Sequence, residues 1–250
     1  MNKTTLSIIF ALCSHVGFSQ YDGKGEDEIS RFRAGFMWYA TGLRPAKSEK
    51  VRKYDRLIFD VTYNDWIGDR DLFKNHWASI GLNTNFMFDI PLTKGNKVAF
   101  GIGAVHQWVN IRHDGNLNRD LATSSTTFTE KSAGDVFNKS SYGSHTFGVP
   151  IELRFRNESW KHFKIHLGGK VGYKTRTYSK EVGVGTSDNF KYTNKTLDFY
   201  DPSRLEYSAH VRIGLRNWAL YASYGINTIF TNENSTQLNR VQFGLSISLF

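Results

Sequence analysis

The sequence lacks long hydrophobic runs, and this excludes one large class of membrane protein. Its mean hydropathy is −0.44, and apolar residues make up 40% of the 250 positions. No stretch of about eighteen apolar residues follows the N-terminal segment, so no transmembrane helix is predicted. A membrane-spanning β-barrel remains open, because its strands are apolar on one face only and escape a hydropathy scan.

Cysteine is almost absent as well, since Cys13 is the single one in the chain. It lies in residues 1–19, where Lys3 and the apolar run Leu6–Leu12 predict a secretory signal peptide that is cleaved before Gln20. The mature chain would then contain no cysteine. We therefore predict no disulfide, no thiolate metal site and no cofactor.

The charge is strongly basic, with 32 Lys and Arg against 23 Asp and Glu, a formal net charge of +9. Loss of Lys3 with the signal peptide lowers this charge to +8. An exported chain seldom meets nucleic acid, so we predict membrane lipid and lipopolysaccharide as partners, and no nucleic acid. Other envelope or secretion proteins are further candidate partners.

What the chain has in abundance is alternation, and the last ten residues show it most clearly. Val241, Phe243, Leu245, Ile247 and Leu249 fall on one face of a strand, and small or polar residues fall on the other. An apolar face toward lipid and a polar face toward a lumen is typical of a transmembrane β-barrel. The edge strand of a soluble sandwich is the alternative. The terminal Phe250 is out of phase with the apolar series.

The same period recurs from Asp55 onward and predicts an all-β fold, an eight-stranded antiparallel transmembrane barrel of the outer-membrane type. The expected strands cover residues 57–64, 79–90, 98–107, 147–156, 163–176, 205–216, 220–226 and 241–250. Their connections alternate between short turns and longer polar loops, of which 112–142 and 178–204 are the longest. Short turns at one end and long loops at the other are expected of such a barrel.

We therefore predict three segments. Residues 1–19 are the signal peptide, residues 20–54 are an N-terminal extension or linker outside the barrel wall, and residues 55–250 are the barrel. Residues 29–42 could form a further strand, but a ninth strand would break the even number that such barrels have.

Five tryptophans are predicted to lie at the membrane interfaces. Trp66, Trp77 and Trp108 fall near the long-loop ends of strands, and Trp160 and Trp218 fall near the short turns. Tryptophan is enriched at both membrane–water interfaces.

Two stretches resemble the PorT-like outer-membrane β-barrel proteins of Bacteroidota. They are DRLIFDVTYNDW at Asp55–Trp66 and GLNTNFMFDIPL at Gly81–Leu92. The resemblance spans roughly residues 55–250 and consists of strand patterns without a catalytic signature. It implies a role in the cell envelope, with type IX protein secretion and gliding among the roles of the family.

Charged side chains are expected to face the lumen, by the parity of their strands. These are Asp60, Glu152, Arg154, Arg156, Lys164, Lys170, Lys174, Arg176, Glu206, Arg212 and Arg216, with His166 and His210 beside them. Eight-stranded barrels have interiors just wide enough for side chains, so we expect these charges to pair with one another. A narrow anion-selective conduit is the alternative. The two histidines are expected to form a hydrogen-bonded structural pair.

A non-enzymatic structural or accessory envelope component is the function that these patterns predict. The rival classes are a small lipid-modifying barrel enzyme and an adhesion or narrow-pore protein. An enzyme would need a Ser/His/Asp set near the outer rim, for which the chain offers His113, Asp114 and His145, with three serines at Ser140, Ser141 and Ser144.

Overall fold

The computed structural model describes residues 55–69, 73–93, 96–130, 137–157, 163–184, 190–197, 199 and 201–249. The predicted signal peptide, the N-terminal extension, Trp160 and Phe250 lie outside these residues. The described part of the chain forms eleven strands: β1 (Leu57–Gly68), β2 (Ile80–Pro91), β3 (Val98–His113), β4 (Asn116–Asp120), β5 (Ser125–Thr129), β6 (Phe137–Arg156), β7 (Phe163–Val184), β8 (Lys191–Leu197), β9 (Leu205–Leu215), β10 (Trp218–Thr228) and β11 (Leu238–Ser248).

Eight of these strands close into an antiparallel barrel, which confirms the predicted fold. The order around the wall is β6-β3-β2-β1-β11-β10-β9-β7, and β7 pairs back with β6. The first and last strands of the barrel pair with each other, for example Val61 with Leu245. Among the described residues, no helix is long and apolar enough to cross a membrane.

Alternation divides each strand between two environments. In β9 the odd-numbered side chains face outward, and Glu206, Ser208, His210 and Arg212 are buried inside. The outer face forms an apolar belt, whose members include Phe86, Ile151, Leu167, Ile213, Leu220 and Phe243, all at least 37% exposed. On β2, β7 and β9 the outward series spans eleven positions, 80–90, 163–173 and 205–215. A tilted barrel strand needs about 9–11 residues to cross a bilayer.

Tyrosines mark the long-loop end of the belt. Tyr63, Tyr173, Tyr207 and Tyr224 are exposed on four strands of the wall, and Tyr173 lies opposite Phe147 in the next strand. These five residues form an aromatic girdle of the kind that sits at a membrane interface. The alternation of the strands therefore predicted the belt, but the prediction of interfacial tryptophans did not include the residues of this girdle.

The five tryptophans divide among different environments. Trp108 and Trp218 lie on the outer face and are half-buried, and Trp77 is 79% exposed in a loop beyond the girdle. The interface assignment is wrong for Trp66, which is completely buried inside the barrel. Trp66 has the same parity as Asp60 and Asn64, so the alternation of β1 turns it inward.

The wall continues past the girdle at the long-loop end as a four-stranded sheet, where the sequence predicted loops. β3, β6 and β7 extend beyond the belt, and β8 pairs with the far half of β7, with Lys180 opposite Lys195. We call this part of the wall the sheet extension. The hairpin β4–β5 also lies in the predicted loop 112–142.

A bulge in β7 changes the parity of the sheet extension. Lys174 pairs with Thr146 and Arg176 pairs with His145, so Thr175 has no partner across the strand. Arg176 is therefore exposed on the outer face, and its predicted lumenal position is wrong. Arg216 also departs from the prediction, because it occupies the turn between β9 and β10 with a φ of 52°.

An aromatic and aliphatic cluster fills the long-loop end of the lumen. Its members are Trp66, Phe73, Val109, Ile111, Leu117, Phe128, Tyr142, Phe199, Ile229, Phe230 and Leu238. Trp66 contacts the ring of Phe128 at 5.3 Å and that of Tyr142 at 5.7 Å between centroids. We call this group the aromatic cluster. It covers the polar interior that lies below it.

Position in the belt sets the cost of a charge on the lipid face. Arg at Leu167, in the middle of the belt, should lower the free energy of unfolding by about 2–4 kcal/mol, whereas Arg near an interface costs about 0–1. Leu205, which pairs with Tyr173 of the girdle, is the matched control for the interface. Urea unfolding in lipid vesicles, followed by tryptophan fluorescence, measures both variants. Equal losses at the two positions would contradict the assigned belt.

Candidate functional site: the charged lumen

The interior at the short-turn end holds a cluster of ion pairs. Asp89 accepts from Arg154 at 2.5 Å and from Arg156 at 2.6 Å. Asp55 accepts from the Lys164 ammonium at 2.9 Å and lies 3.3 Å from Arg156. Four strands or strand ends thus meet through charged groups, because Asp55 at the start of β1 and the side chains of β2, β6 and β7 all turn inward.

Glu152 is the centre of the next layer. Its carboxylate accepts from Arg154 Nε at 2.8 Å, from Arg212 Nη1 and from His210 Nε2 at 2.9 Å. Arg212 also donates to Asp60 through Nε at 3.0 Å and through Nη2 at 2.8 Å. Asp60, Glu152, Arg154 and Arg212 are at most 2% exposed. Each of these buried charges is neutralised by an opposite charge in direct contact with it.

The two interior histidines do not form the predicted pair. His166 lies 3.6 Å from Glu152 and 3.6 Å from Asp55, whereas His210 bonds Glu152 from the other side. In the register of β7 and β9, His166 lies opposite Arg212 and His210 lies opposite Gly168. Both imidazole rings therefore lie next to the Glu152 carboxylate and do not bond each other.

A third layer surrounds Glu206 below the aromatic cluster. Arg240 donates to Glu206 through Nη1 at 3.1 Å and through Nη2, and the Lys170 ammonium lies 3.5 Å away. Lys170 also donates to Gln107 at 2.6 Å, and Gln107 donates to Gln242 at 2.7 Å. The polar network thus extends from the short turns to the aromatic cluster.

A small cavity lies where the layer around Glu206 meets the aromatic cluster. It is lined by Lys174, Glu206, Arg240, Tyr142 and Trp66, among others, and has a volume of about 10 Å³. That is the lower limit for holding one water molecule. In the described part of the barrel, side chains therefore fill the lumen at this level.

The sequence prediction named most of this network. Asp60, Glu152, Arg154, Lys170, Glu206, His210 and Arg212 are buried inside, and Arg156 is half-buried. It did not name Asp55, Asp89 or Arg240. Asp89 has the parity of Asn83 and Asn85, and Arg240 has the parity of Gln242, so the alternation could have found both.

The residues considered for catalysis do not meet at an open rim. His113 packs in the aromatic cluster against Phe128, at 5.0 Å between ring centroids, and its Nδ1–H donates to the Gly115 carbonyl at 3.0 Å. Burial lowers the pKa of His113 to about 4. Asp114 is exposed and accepts from the backbone N–H of Lys74.

The remaining candidates point in different directions. Ser140 and Ser144 are buried on the inner face, and Ser141 is half-buried on the outer face. His145 lies outside the wall and stacks on His106, with ring centroids 5.5 Å apart. The described side chains therefore form no Ser–His–Asp set here.

Comparison with known proteins gives a distant structural likeness. No protein-family model matches this chain, and no curated protein matches it. Among solved structures, it is similar to Ail, the attachment invasion locus protein of Yersinia pestis, in complex with the heparin analogue sucrose octasulfate. The identity is 12%, the match covers 77% of this chain and 98% of the Ail chain, and the TM-score is 0.33. A likeness this distant does not extend to function.

Removal of the central carboxylate tests the layered network. Glu152→Gln leaves Arg154 and Arg212 without their shared counter-charge, and breaking a buried pair in this way costs about 3–5 kcal/mol. The gel shift between folded and heat-unfolded protein should occur at a lower temperature in this variant. Glu233→Gln is the control, because Glu233 is exposed in the loop before β11. Unchanged heat resistance of Glu152→Gln would contradict the assigned role of the pair.

Proposed function

We propose that this protein is a non-enzymatic, non-conducting outer-membrane barrel that serves as a structural or accessory component of the cell envelope. The observation that carries the proposal is the filled lumen. Glu152 is bonded by Arg154 and Arg212, and the aromatic cluster covers the layers above it. A conduit would need a continuous open path through these layers, and charges that are paired with each other are not available to a passing ion.

The long-loop end is the part of the barrel with room for a partner. The sheet extension carries the wall past the girdle, and the hairpin β4–β5 is bonded to the loop before β9, for example from Thr126 Oγ1 to Asp201 at 2.6 Å. In bacterial barrels of this type the longer loops face the outside of the cell. We therefore assign the sheet extension to the cell exterior and the short turns to the periplasm.

The sequence resemblance to PorT-like barrels adds a more specific candidate role, an accessory subunit of a type IX-like secretion machine. It rests on the strand patterns at Asp55–Trp66 and Gly81–Leu92. An adhesion protein is the second candidate, and the feature that favours it is the ordered sheet extension, which offers a preformed surface instead of long irregular loops.

Recording in planar lipid bilayers tests the absence of conductance. The refolded mature chain should insert without a steady current, because the network around Glu152 leaves no path for ions. The heat-dependent gel shift of the same sample verifies that the barrel is folded, and a porin reconstituted in parallel verifies insertion. A steady anion-selective current would overturn the proposed function.

Single-cysteine labelling tests the orientation. The predicted mature chain has no cysteine, so Thr193→Cys in β8 and Lys97→Cys before β3 each introduce one exposed thiol. In intact cells, a membrane-impermeant maleimide should label the cysteine at position 193, and label position 97 only after the outer membrane is permeabilised. The reverse pattern would contradict the assignment of the sheet extension to the exterior.

A further inference from the structure

The outer face of the sheet extension carries a row of cations in direct register. Arg112 of β3 lies opposite Ser141 of β6, Ser141 lies opposite Lys180 of β7, and Lys180 lies opposite Lys195 of β8. Their neighbours Ile111, Tyr142 and Ser179 are buried in the inner face, so the four face outward. Arg176, on the same face of β7 and nearer the belt, is also exposed. We call Arg112, Arg176, Lys180 and Lys195 the basic strip.

This arrangement has a cost that the protein itself does not offset. Like charges directly opposite each other in a sheet are destabilising, and Lys180 and Lys195 form such a pair. No ion pair joins Arg112, Lys180 or Lys195 to a described acidic residue. The described strands of the sheet extension carry no Asp or Glu on the outer face, and Asp114, which follows β3, accepts a hydrogen bond from the Lys74 backbone. An external anion would therefore stabilise the row.

The local packing holds the row in place. The Tyr178 ring lies over Gly143, where a Cβ would approach a ring carbon to 2.1 Å. Lys195 Nζ lies 4.3 Å from the centroid of the same ring. Glycine is required at position 143 to let the ring lie flat, and the ring in turn supports the ammonium of Lys195.

The spacing suits a phosphate group. Neighbouring strands are about 4.8 Å apart, so Arg112 and Lys180 are separated by about 10 Å, with the small Ser141 between them. Two long cationic side chains that reach over a serine hydroxyl can share the oxygens of one phosphate. Lys180 and Lys195 can bind a second phosphate in the same row.

The height of the strip above the belt points to the source of the anion. Arg176 pairs with His145, directly beyond the girdle pair Tyr173 and Phe147. Lys180 lies four residues further along β7, about 13 Å along the strand. The strip is on the same outward face as the lipid belt, and it therefore lies at the depth of the lipid headgroups.

We propose that the basic strip binds the phosphate groups of lipopolysaccharide in the outer leaflet. The proposal rests on the outward orientation proposed above for the long-loop end. The lipid belt holds the acyl chains below the girdle, and the strip neutralises the phosphorylated sugars above it. The barrel is thereby fixed at one depth in the membrane.

A binding experiment with defined lipids tests the strip. The refolded mature chain in detergent micelles is titrated with diphosphoryl lipid A, and the bound lipid is counted by native mass spectrometry. Each cation near an anionic lipid surface contributes about 1 kcal/mol, so the double variant Lys180→Gln with Lys195→Gln should bind about 30-fold more weakly. Lys180→Arg with Lys195→Arg should retain the affinity.

Two cations at the short-turn end, away from the strip, provide the control. Lys97→Gln with Arg216→Gln removes the same charge from the opposite end of the barrel and should change the affinity by less than about twofold. Equal weakening in the two Gln pairs would overturn the proposal, because it would reduce the effect to net charge. Equal binding of lipid A stripped of its phosphates would overturn it as well.

Free phosphate distinguishes the lipid from a small anion. Inorganic phosphate at millimolar concentration should displace lipid A only weakly, because the belt contributes to binding through the acyl chains. Complete displacement would overturn the assignment to lipid. A conducting barrel would refute the proposed function without affecting this assay, whereas equal behaviour of the Gln pairs would refute the strip and leave the proposed function in place.

Discussion

The structure depends on burying charge only where an opposite charge reaches it across the lumen. Glu152 on β6 is bonded by Arg212 from β9, and Arg212 in turn bonds Asp60 from β1. These strands are not neighbours in the wall, so the groups meet only when the sheet is closed at this circumference. Since an unpaired buried ion costs several kcal/mol, the network favours one closed register over its alternatives. A slip of one residue would move every charge of a strand into the lipid and its apolar residues into the lumen.

The interior is polar toward the short turns and apolar at the long-loop end. Each part holds a different set of segments together. The charged layers connect the barrel strands to one another. The aromatic cluster connects the barrel to the segments beyond the belt, since Leu117 and Phe128 come from the β4–β5 hairpin and Phe199 and Phe230 come from loops. The hairpin is thus held by these hydrophobic contacts and by hydrogen bonds such as Thr126 to Asp201, and not by insertion into the wall. This explains how a barrel with long connections can present an ordered surface at that end.

Alternation made the wall, the belt and most of the lumenal charges predictable from the sequence. It did so because a period of two fixes the face of a residue without knowledge of its partners. Two errors have other causes. Trp66 was assigned to the interface because tryptophan is common there, although its parity with Asp60 turns it inward. The predicted bond between His166 and His210 does not form, because such a bond depends on register, which the alternation of single strands does not specify. The pairing of Glu206 with Arg240 depended on register in the same way.

The bulge at Thr175 reverses the inward and outward faces of β7, a change that neither the composition nor the alternation of the sequence predicts. Without it, the parity of β7 would continue, and Arg176, Tyr178 and Lys180 would point into the aromatic cluster. Thr177 and Ser179 would then face the lipid headgroups. With the bulge, the small residues Thr177 and Ser179 line the cluster, and the cations and the tyrosine lie on the outer face. One extra residue therefore separates two functions of the same strand. Lys170 and Lys174 before it balance Glu206 in the lumen, and Arg176 and Lys180 after it are directed to the membrane surface.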